Sequence, residues 1–376
     1  MASTEATERA KLLRESIARY RVLQHEKDES PISPEALDSL KRELQLLETE
    51  YPELVSEDSP LRRVAGKPLP FLEKVKHEIP QWSLDDAFDE GDITAFDTRV
   101  RRHLERAGIE AVPLYVAELK IDGLHIVLTY QKGVLVRAVT RGDGVVGEDV
   151  THTVRTIGSI PETLSRPVDL IVEGEIYMSR AGFEKLNERR ARAGEPLFAN
   201  ARNVAAGSVR QLDPGVARER PLGAFLYDIE YLAGAPMPIS QSEELEYRRK
   251  LGLPVNRHSR TAKKIEDVIA FWREWHGQRR EKEDYLIDGV VVKVEQRTLQ
   301  EALGHTGKGP RYAIALKFAA EQVTTIVEDI GLQIGRTGKL TPVAHLRPVS
   351  VAGTTVARAT LHNEDFILQK DIRVGD

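Results

Sequence analysis

The sequence predicts an α+β protein in three parts: a small helical module, a large domain of mixed strands and helices, and the beginning of a small β-barrel. Three observations carry that expectation. Apolar residues recur at helical spacing over residues 5–24 and again after Ser33-Pro34. From residue 114 onward, short runs of β-type alternation are separated by helical stretches. From about residue 320, short alternating strands with glycines suited to barrel bends take over. The expected boundaries are 1–72, 73–318 and 319–376.

Composition narrows the class. The chain has 376 residues, enough for two or three domains, with 41% apolar and 30% charged residues, as in a soluble globular protein. No apolar run approaches the ~20 residues of a membrane-spanning helix, and Met1 to Arg9 are too polar for a signal peptide. Cysteine is absent, which excludes disulfides, thiolate chemistry and a cysteine-ligated zinc site and fits a cytoplasmic protein. A net charge of −5 argues against a protein that coats nucleic acid indiscriminately. Local clusters matter more: Arg189, Arg190, Arg192, Arg202, Arg210, Arg218 and Arg220 crowd into one stretch. Of these, Arg189 to Arg192 fit the solvated side of a helix.

In chain order, Leu13, Ile17 and Tyr20 stripe the first helix, and Leu37, Leu40, Leu44 and Leu47 stripe the second. Ser33-Pro34 opens that second helix with a cap and a proline at the first position, and Tyr51-Pro52 closes it. Residues 53–80 are proline-rich and read as a linker. Trp82-Ser83-Leu84-Asp85 leads to a helix holding Phe96, Val100 and Leu104. A strand over 114–120 follows, then a hairpin over 125–140 turning at Gln131-Lys132-Gly133. Strands are expected at 170–177, 222–231, 287–294 and 312–318, the last two as neighbours, and helices at 180–193, 242–251 and 264–279. Val323 to Val327 opens the terminal β unit, and Val374-Gly375-Asp376 comes before a barrel could close.

The chemistry concentrates at strand ends. Lys120 closes the strand Leu114-Tyr115-Val116-Ala117 and is followed by Asp122-Gly123. Lys293 and Lys317 stand likewise near strand ends, and two further strands carry Arg141 and Glu175. Each lysine alone has a plain explanation as a solvated edge charge. Converging on one cleft, they would suit a polyanion such as a nucleotide phosphate. Cationic neighbours would also favour the neutral amine that covalent lysine catalysis requires.

Those residues stand inside motifs that identify a resemblance. They are Glu118-Leu119-Lys120-Ile121-Asp122-Gly123, Thr140-Arg141-Gly142-Asp143-Gly144, Glu173-Gly174-Glu175, Phe198-Ala199-Asn200-Ala201-Arg202-Asn203, Ala206-Gly207-Ser208-Val209-Arg210, Ile287-Asp288-Gly289-Val290-Val291-Val292-Lys293, Leu316-Lys317-Phe318 and Gly335-Arg336-Thr337-Gly338. In unbroken order over residues 30–376, the chain resembles the NAD+-dependent bacterial DNA ligases. The resemblance implies a nucleotidyltransferase (ATP-grasp-like ligase) domain, an N-terminal helical subdomain for the nicotinamide mononucleotide half, and a partial OB-type barrel. It implies NAD+ as AMP donor, Mg2+, nicked duplex DNA as partner, a monomer, and no zinc site in this chain.

By the same resemblance, Lys120 is the nucleophile that becomes adenylated, and Asp122 orients it or takes its proton. Lys293 and Lys317 neutralise the α-phosphate. Glu118 accepts from the adenine amino group, with Ser83, Leu84 and Leu119 lining the pocket and Tyr227 and Val291 against the base. Arg141 and Glu175 hold the ribose side, while Arg202, Arg210 and Arg336 meet DNA. Arg280 and Arg311 have weaker claims, and Asp288 is expected to shape the turn into its strand.

The nicotinamide motif departs from the family. Where the family has a Tyr-His pair and an Asp-x-x-Tyr-Asp run, this chain reads Gln24-His25 and Pro34-Glu35-Ala36-Leu37-Asp38, so that only His25 and Asp38 match. Two other readings therefore stand beside the first: an enzyme of the same fold using ATP or joining RNA, and a ligase-derived nucleic-acid-binding protein without catalysis. The family also continues through a full barrel, a zinc module and helix-hairpin-helix repeats, so weak or no nick sealing is expected of these residues alone.

Overall fold

The computed structural model describes residues 4–26, 32, 34–56, 59–60, 72–318, 323–334, 340–351, 354–361 and 363–376. Contacts divide the chain into two compact units, Met1–Pro31 with Leu40–Ala319 and Ile32–Ser39 with Ala320–Asp376.

The chain opens with α1 (Thr4–Glu26), in the first unit, and α2 (Pro34–Glu50), of which residues 34–39 count with the second unit and 40–50 with the first. Ala10, Leu13 and Ile17 of α1 and Leu44 of α2 are buried, and Arg9–Glu43 (2.6 Å) and Arg14–Glu48 (3.2 Å) ion pairs join the two helices. β1 (Lys74–Lys76) and β2 (Asp85–Ala87) follow. Then comes α3 (Glu90–Arg106), whose Asp89 cap accepts from Asp92 N and whose Ile93, Phe96, Val100 and Leu104 are buried. The strands β3 (Tyr115–Ile121), β4 (Leu124–Gln131), β5 (Val134–Thr140) and β6 (Val146–Glu148) lead to the short α4 (Thr151–Val154) and to β7 (Asp169–Met178). Three helices, α5 (Arg180–Arg192), α6 (Ala201–Val209) and α7 (Pro214–Arg218), precede β8 (Leu222–Ala233). The unit ends through α8 (Gln241–Lys250), β9 (Ser259–Ala262), α9 (Ile265–His276), β10 (Ile287–Val294), α10 (Arg297–Leu303) and β11 (Ala313–Lys317).

These strands make two principal sheets. One has the order β2-β11-β10-β3-β9, antiparallel except for the parallel β2–β11 pair. The other is the antiparallel β5-β4-β7-β8. Each has its own apolar core: Phe96, Leu104, Trp272, Trp275 and Val292 contribute to the first, Ile126, Leu128, Tyr130, Leu170 and Val172 to the second. The chain passes between sheets at Asp122-Gly123. A Cβ on Gly123 would fall 2.2 Å from the Ile176 carbonyl oxygen, so the turn from β3 to β4 packs against β7 only because that residue has no side chain.

The longer strands of the first unit fall where the sequence places them, whereas the sequence sets no bounds for α6 or for the strands over 340–351 and 354–360. β1, β2, β6 and β9, at three or four residues, are too short to show alternation and are additions; β1, paired with β6, lies inside the stretch expected as a linker. In the second unit the expected strand at Val323 begins only at Val327, since residues 323–326 join no ladder. β12 (Val327–Ile334), β13 (Leu340–Val351) and β14 (Thr354–Thr360) form an antiparallel sheet in that order. α11 (Glu364–Lys370), capped by Asn363, closes the unit.

Candidate active site

Strand alternation decides which side chains face the cleft. On β3, Glu118 and Lys120 share a face while Leu119 and Ile121 pack in the core. β10 runs antiparallel alongside, placing Gly289 opposite Lys120 and Val291 opposite Glu118. β11 places Lys317 opposite Gly289. The lining role expected of Leu119 is corrected accordingly: its side chain is buried in the core on the far face, and only its backbone is left for a ligand.

At one end of this face, the carboxylate of Asp288 bridges two lysines. Its Oδ2 accepts from Lys120 Nζ at 3.2 Å and from Lys317 Nζ at 2.8 Å. Simple alternation would turn Asp288 away from the face that Gly289 and Val291 share. The β3–β10 register shifts between Ile287 and Gly289, and this bulge re-aims the aspartate. Asp122, expected to orient Lys120, instead accepts from Arg202 Nη1 at 2.5 Å. The carboxylate on Lys120 is that of Asp288, which the sequence reading left as a turn former.

Arg202 enters from the first turn of α6, whose cap Asn200 accepts from the backbone of Arg202 and Asn203. Beside it lie Glu175 and Arg141. Burial pushes the Glu175 carboxyl up to about 7, against the pull of Arg202 and Lys120. Burial and then Arg202 lower Arg141. Arg210, at the end of α6, is buried: its Nε donates to Glu148 Oε2 at 2.9 Å, and Thr140 Oγ1 donates to the same oxygen at 2.9 Å. Arg311 donates to the Leu303 carbonyl at 3.2 Å, and Arg280 lies over the Phe318 ring. Arg336 and the side chain of His25 lie outside the described residues, and Asp38 stands half-buried on α2.

At the other end of the face stands Lys293, opposite Val116 and Ala313 and four residues along β10 from Gly289. Its Nζ lies 3.2 Å from Glu118 Oε1 and 3.1 Å from Asp228 Oδ2, and donates to the Tyr227 carbonyl at 3.0 Å. Burial pulls this amine down, but Asp228 and Glu118 more than reverse it and leave it raised. The three lysines thus share a face without sharing a site: Lys120 and Lys317 meet at Asp288, while Lys293 belongs to Glu118 and Asp228.

Behind Lys293 lies a buried ionic layer. Glu244 accepts from Ile229 N at 2.8 Å, pairs with Arg297, and lies 3.7 Å from Arg248 Nη1. Burial pushes Glu244 up to about 7, and does the same to Glu230. Burial also raises Glu173 well above its ordinary range, with the charges of Glu230 and Asp228 adding to the shift.

Tyr227 on β8 closes the cleft, its hydroxyl 2.9 Å from His125 Nδ1 and 3.5 Å from Glu175 Oε2. Ser83 and Leu84 are half-buried ahead of β2, where Ser83 N donates to the Lys308 carbonyl at 3.3 Å. Asp228, His125 and Gln81 are polar residues the sequence reading did not weigh as part of a site, and it weighed Asp288 only as a turn former. For Asp288 its place in the Ile287-Asp288-Gly289 motif was a usable signal; the others needed the second sheet.

This arrangement can hold a phosphate among lysines at one end and a hydrogen-bonding planar ring near Glu118 and Tyr227 at the other. Residues 70–321 match the NAD-dependent DNA ligase adenylation domain, residues 324–376 the NAD-dependent DNA ligase OB-fold domain, and residues 3–65 the DNA ligase-like, N-terminal NAD+-binding domain. A DNA ligase of Brevibacillus brevis is 50% identical over 371 residues, covering 99% of this chain and 54% of the relative. DNA ligases of Bacillus cereus (47%, covering 100% and 55%) and Thermotoga neapolitana (47%, covering 99% and 53%) are similar. The chain spans about half the length of these relatives.

Proposed function

The chain belongs to the NAD-dependent DNA ligase family, and from that premise we propose that it carries the adenylating step of nick sealing, with NAD+ as donor and nicked duplex DNA as acceptor. Residues 1–72, 73–318 and 319–376 would serve as nicotinamide-side module, adenylation domain and start of the DNA-contacting barrel. NAD+ supplies an activated AMP. The Lys120 amine attacks its α-phosphorus, a P–N bond forms, the pyrophosphate P–O bond breaks, and nicotinamide mononucleotide leaves. Asp288, 3.2 Å from that amine, is the group placed to hold it and to receive its proton. Lys317 on the same carboxylate would counter the charge that develops on the phosphate. At the other end Glu118 and Lys293 would read the edge of the adenine, with Tyr227 and Val291 against its faces and Arg141 and Glu175 toward the ribose.

Among the described residues no group of three or more histidine, aspartate and glutamate side chains is placed to hold a metal. Mg2+, which the family resemblance implies, would supply charge neutralisation at the phosphates with few protein ligands. The buried Arg210–Glu148 pair supports a bracing role for Arg210, and Arg202 is the better placed of the two to exchange its carboxylate partner for a DNA phosphate.

The observation that carries this reading is the Lys120–Asp288–Lys317 cluster on the same strand face as Glu118. Intact mass after separate incubation with NAD+ and with ATP, each with Mg2+, tests it. An AMP-sized increment with NAD+, lost in Lys120→Ala, is the expected result. An increment with ATP alone would assign a different donor, and none with either would remove the enzymatic reading.

A further inference from the structure

The side chains of Gln81, His125 and Tyr227 form a hydrogen-bonded chain across three segments that lie far apart in sequence. Gln81 Nε2 donates to the Ile79 carbonyl at 3.0 Å, which turns Oε1 toward His125 Nε2, also at 3.0 Å. An amide oxygen only accepts, so Nε2 must carry the imidazole proton. Nδ1 of the neutral ring is then a bare acceptor, and the Tyr227 hydroxyl donates to it at 2.9 Å. Gln81 is buried and His125 nearly so. Burial, with Arg141, His77 and Lys120, lowers His125 well below its ordinary pKa, which favours the neutral ring, and burial raises the Glu173 carboxyl that lies 3.8 Å from Nε2. With its proton given to His125, the Tyr227 hydroxyl cannot also donate to Glu175.

We propose that His125, oriented by Gln81, is a positioning residue that fixes the Tyr227 ring for a purine base. This rests on the reading above, in which the base stacks on Tyr227. A tyrosine anchored only by its Cβ would have to be ordered when the nucleotide enters. One pinned at its hydroxyl from β4 is ordered beforehand, and ligand binding is spared that cost. His125 touches neither substrate nor Lys120 in this scheme and acts through Tyr227 alone.

Calorimetric titration with AMP tests this in a Lys120→Ala background, where no covalent adduct can occupy the site. His125→Leu should weaken AMP about five- to tenfold, the worth of one hydrogen bond. His125→Asn, whose Oδ1 can stand where Nδ1 stood, should recover most of the loss. In a Tyr227→Phe background the Leu and His forms should bind AMP equally, because the hydroxyl through which His125 acts is gone. An undiminished affinity in His125→Leu, or the same loss with Phe at 227, overturns the proposal. If His125→Leu fails to fold, Tyr227→Phe alone must show the same five- to tenfold weakening, and an unchanged affinity overturns it. A folded parent that binds no AMP overturns the nucleotide-site reading together with this inference, whereas AMP binding indifferent to His125 overturns this inference alone.

Discussion

The two ends of the cleft are built from the same residue types and behave oppositely. At the Lys120 end the charges are partly open to solvent and paired one carboxylate to two amines: Lys120 is a quarter exposed on Asp288. At the Lys293 end the amine itself and the Glu244–Arg248 pair behind it are almost without exposure, while the Asp228 carboxylate beside the amine stays 29% exposed. Ions that must exchange partners during a reaction need water and a loose grip. Ions that only define a shape can be buried, provided each has a partner, because dehydrated charges left alone are costly. On the function proposed above, the partly exposed Lys120 amine belongs to the end that reacts and the buried Lys293 amine to the end that recognises.

The largest expected effect breaks the sealed end. Glu244→Leu removes the acceptor of Ile229 N and strands Arg297 and Arg248. At a pH above about 7, where the Glu244 carboxyl is charged, uncoupling one partner of a buried ion pair costs about 3–5 kcal/mol, which denaturant unfolding would show as a lower midpoint. Adding Arg248→Met should return part of the loss, since none of the Arg248 guanidinium nitrogens has a hydrogen bond among the described residues. Strict additivity of the two would mean that the layer is not an ionic unit.

The open end should respond in rate rather than in stability. Asp288→Asn keeps the shape of the group and removes the charge shared by Lys120 and Lys317. Self-adenylation should fall about a hundredfold, the usual scale for one positioned acid–base group, while the unfolding midpoint moves little. If Asp122→Asn slowed the first step as much with Arg202 intact, the assignment of Asp288 as the partner of Lys120 would be wrong.

What the sequence made legible follows the same division. Strand-end lysines show up because β alternation is local: Lys120, Lys293 and Lys317 each sit in a short apolar run that marks its own face. Their partners do not. Asp288 reaches Lys120 through a bulge that no periodicity announces, and Asp228 meets Lys293 only because the second sheet brings β8 to β10. The distinction between Asp122 and Asp288 was lost for this reason, as was the separation of Lys293 from the other two lysines. Gln81 and His125, 44 residues apart, carry no joint signal in one sequence. The second helix was legible from its leucine stripe, because a period of 3.6 over 17 residues is long enough to be read.

A smaller effect sharpens the comparison through pH. Burial raises the Glu244 carboxyl to about 7, whereas in the unfolded chain it titrates near 4.3. Between those values the folded form holds a proton that the unfolded form has released. This group's contribution is therefore fully present below about pH 4.3 and is lost as pH rises toward 7, flattening above it. Glu244→Gln keeps an oxygen for Ile229 N and cannot titrate. Its stability relative to wild type should rise from pH 5 to pH 7 by on the order of 1 kcal/mol per pH unit and then level off, as read from paired denaturant curves. Comparing each variant with wild type at the same pH cancels the opposing titration of His125, which is held neutral in the fold and favours stability at higher pH. A difference independent of pH would show that Arg248 and Arg297 keep Glu244 ionised throughout, which would make the sealed end an ordinary ion pair and not a proton-holding layer.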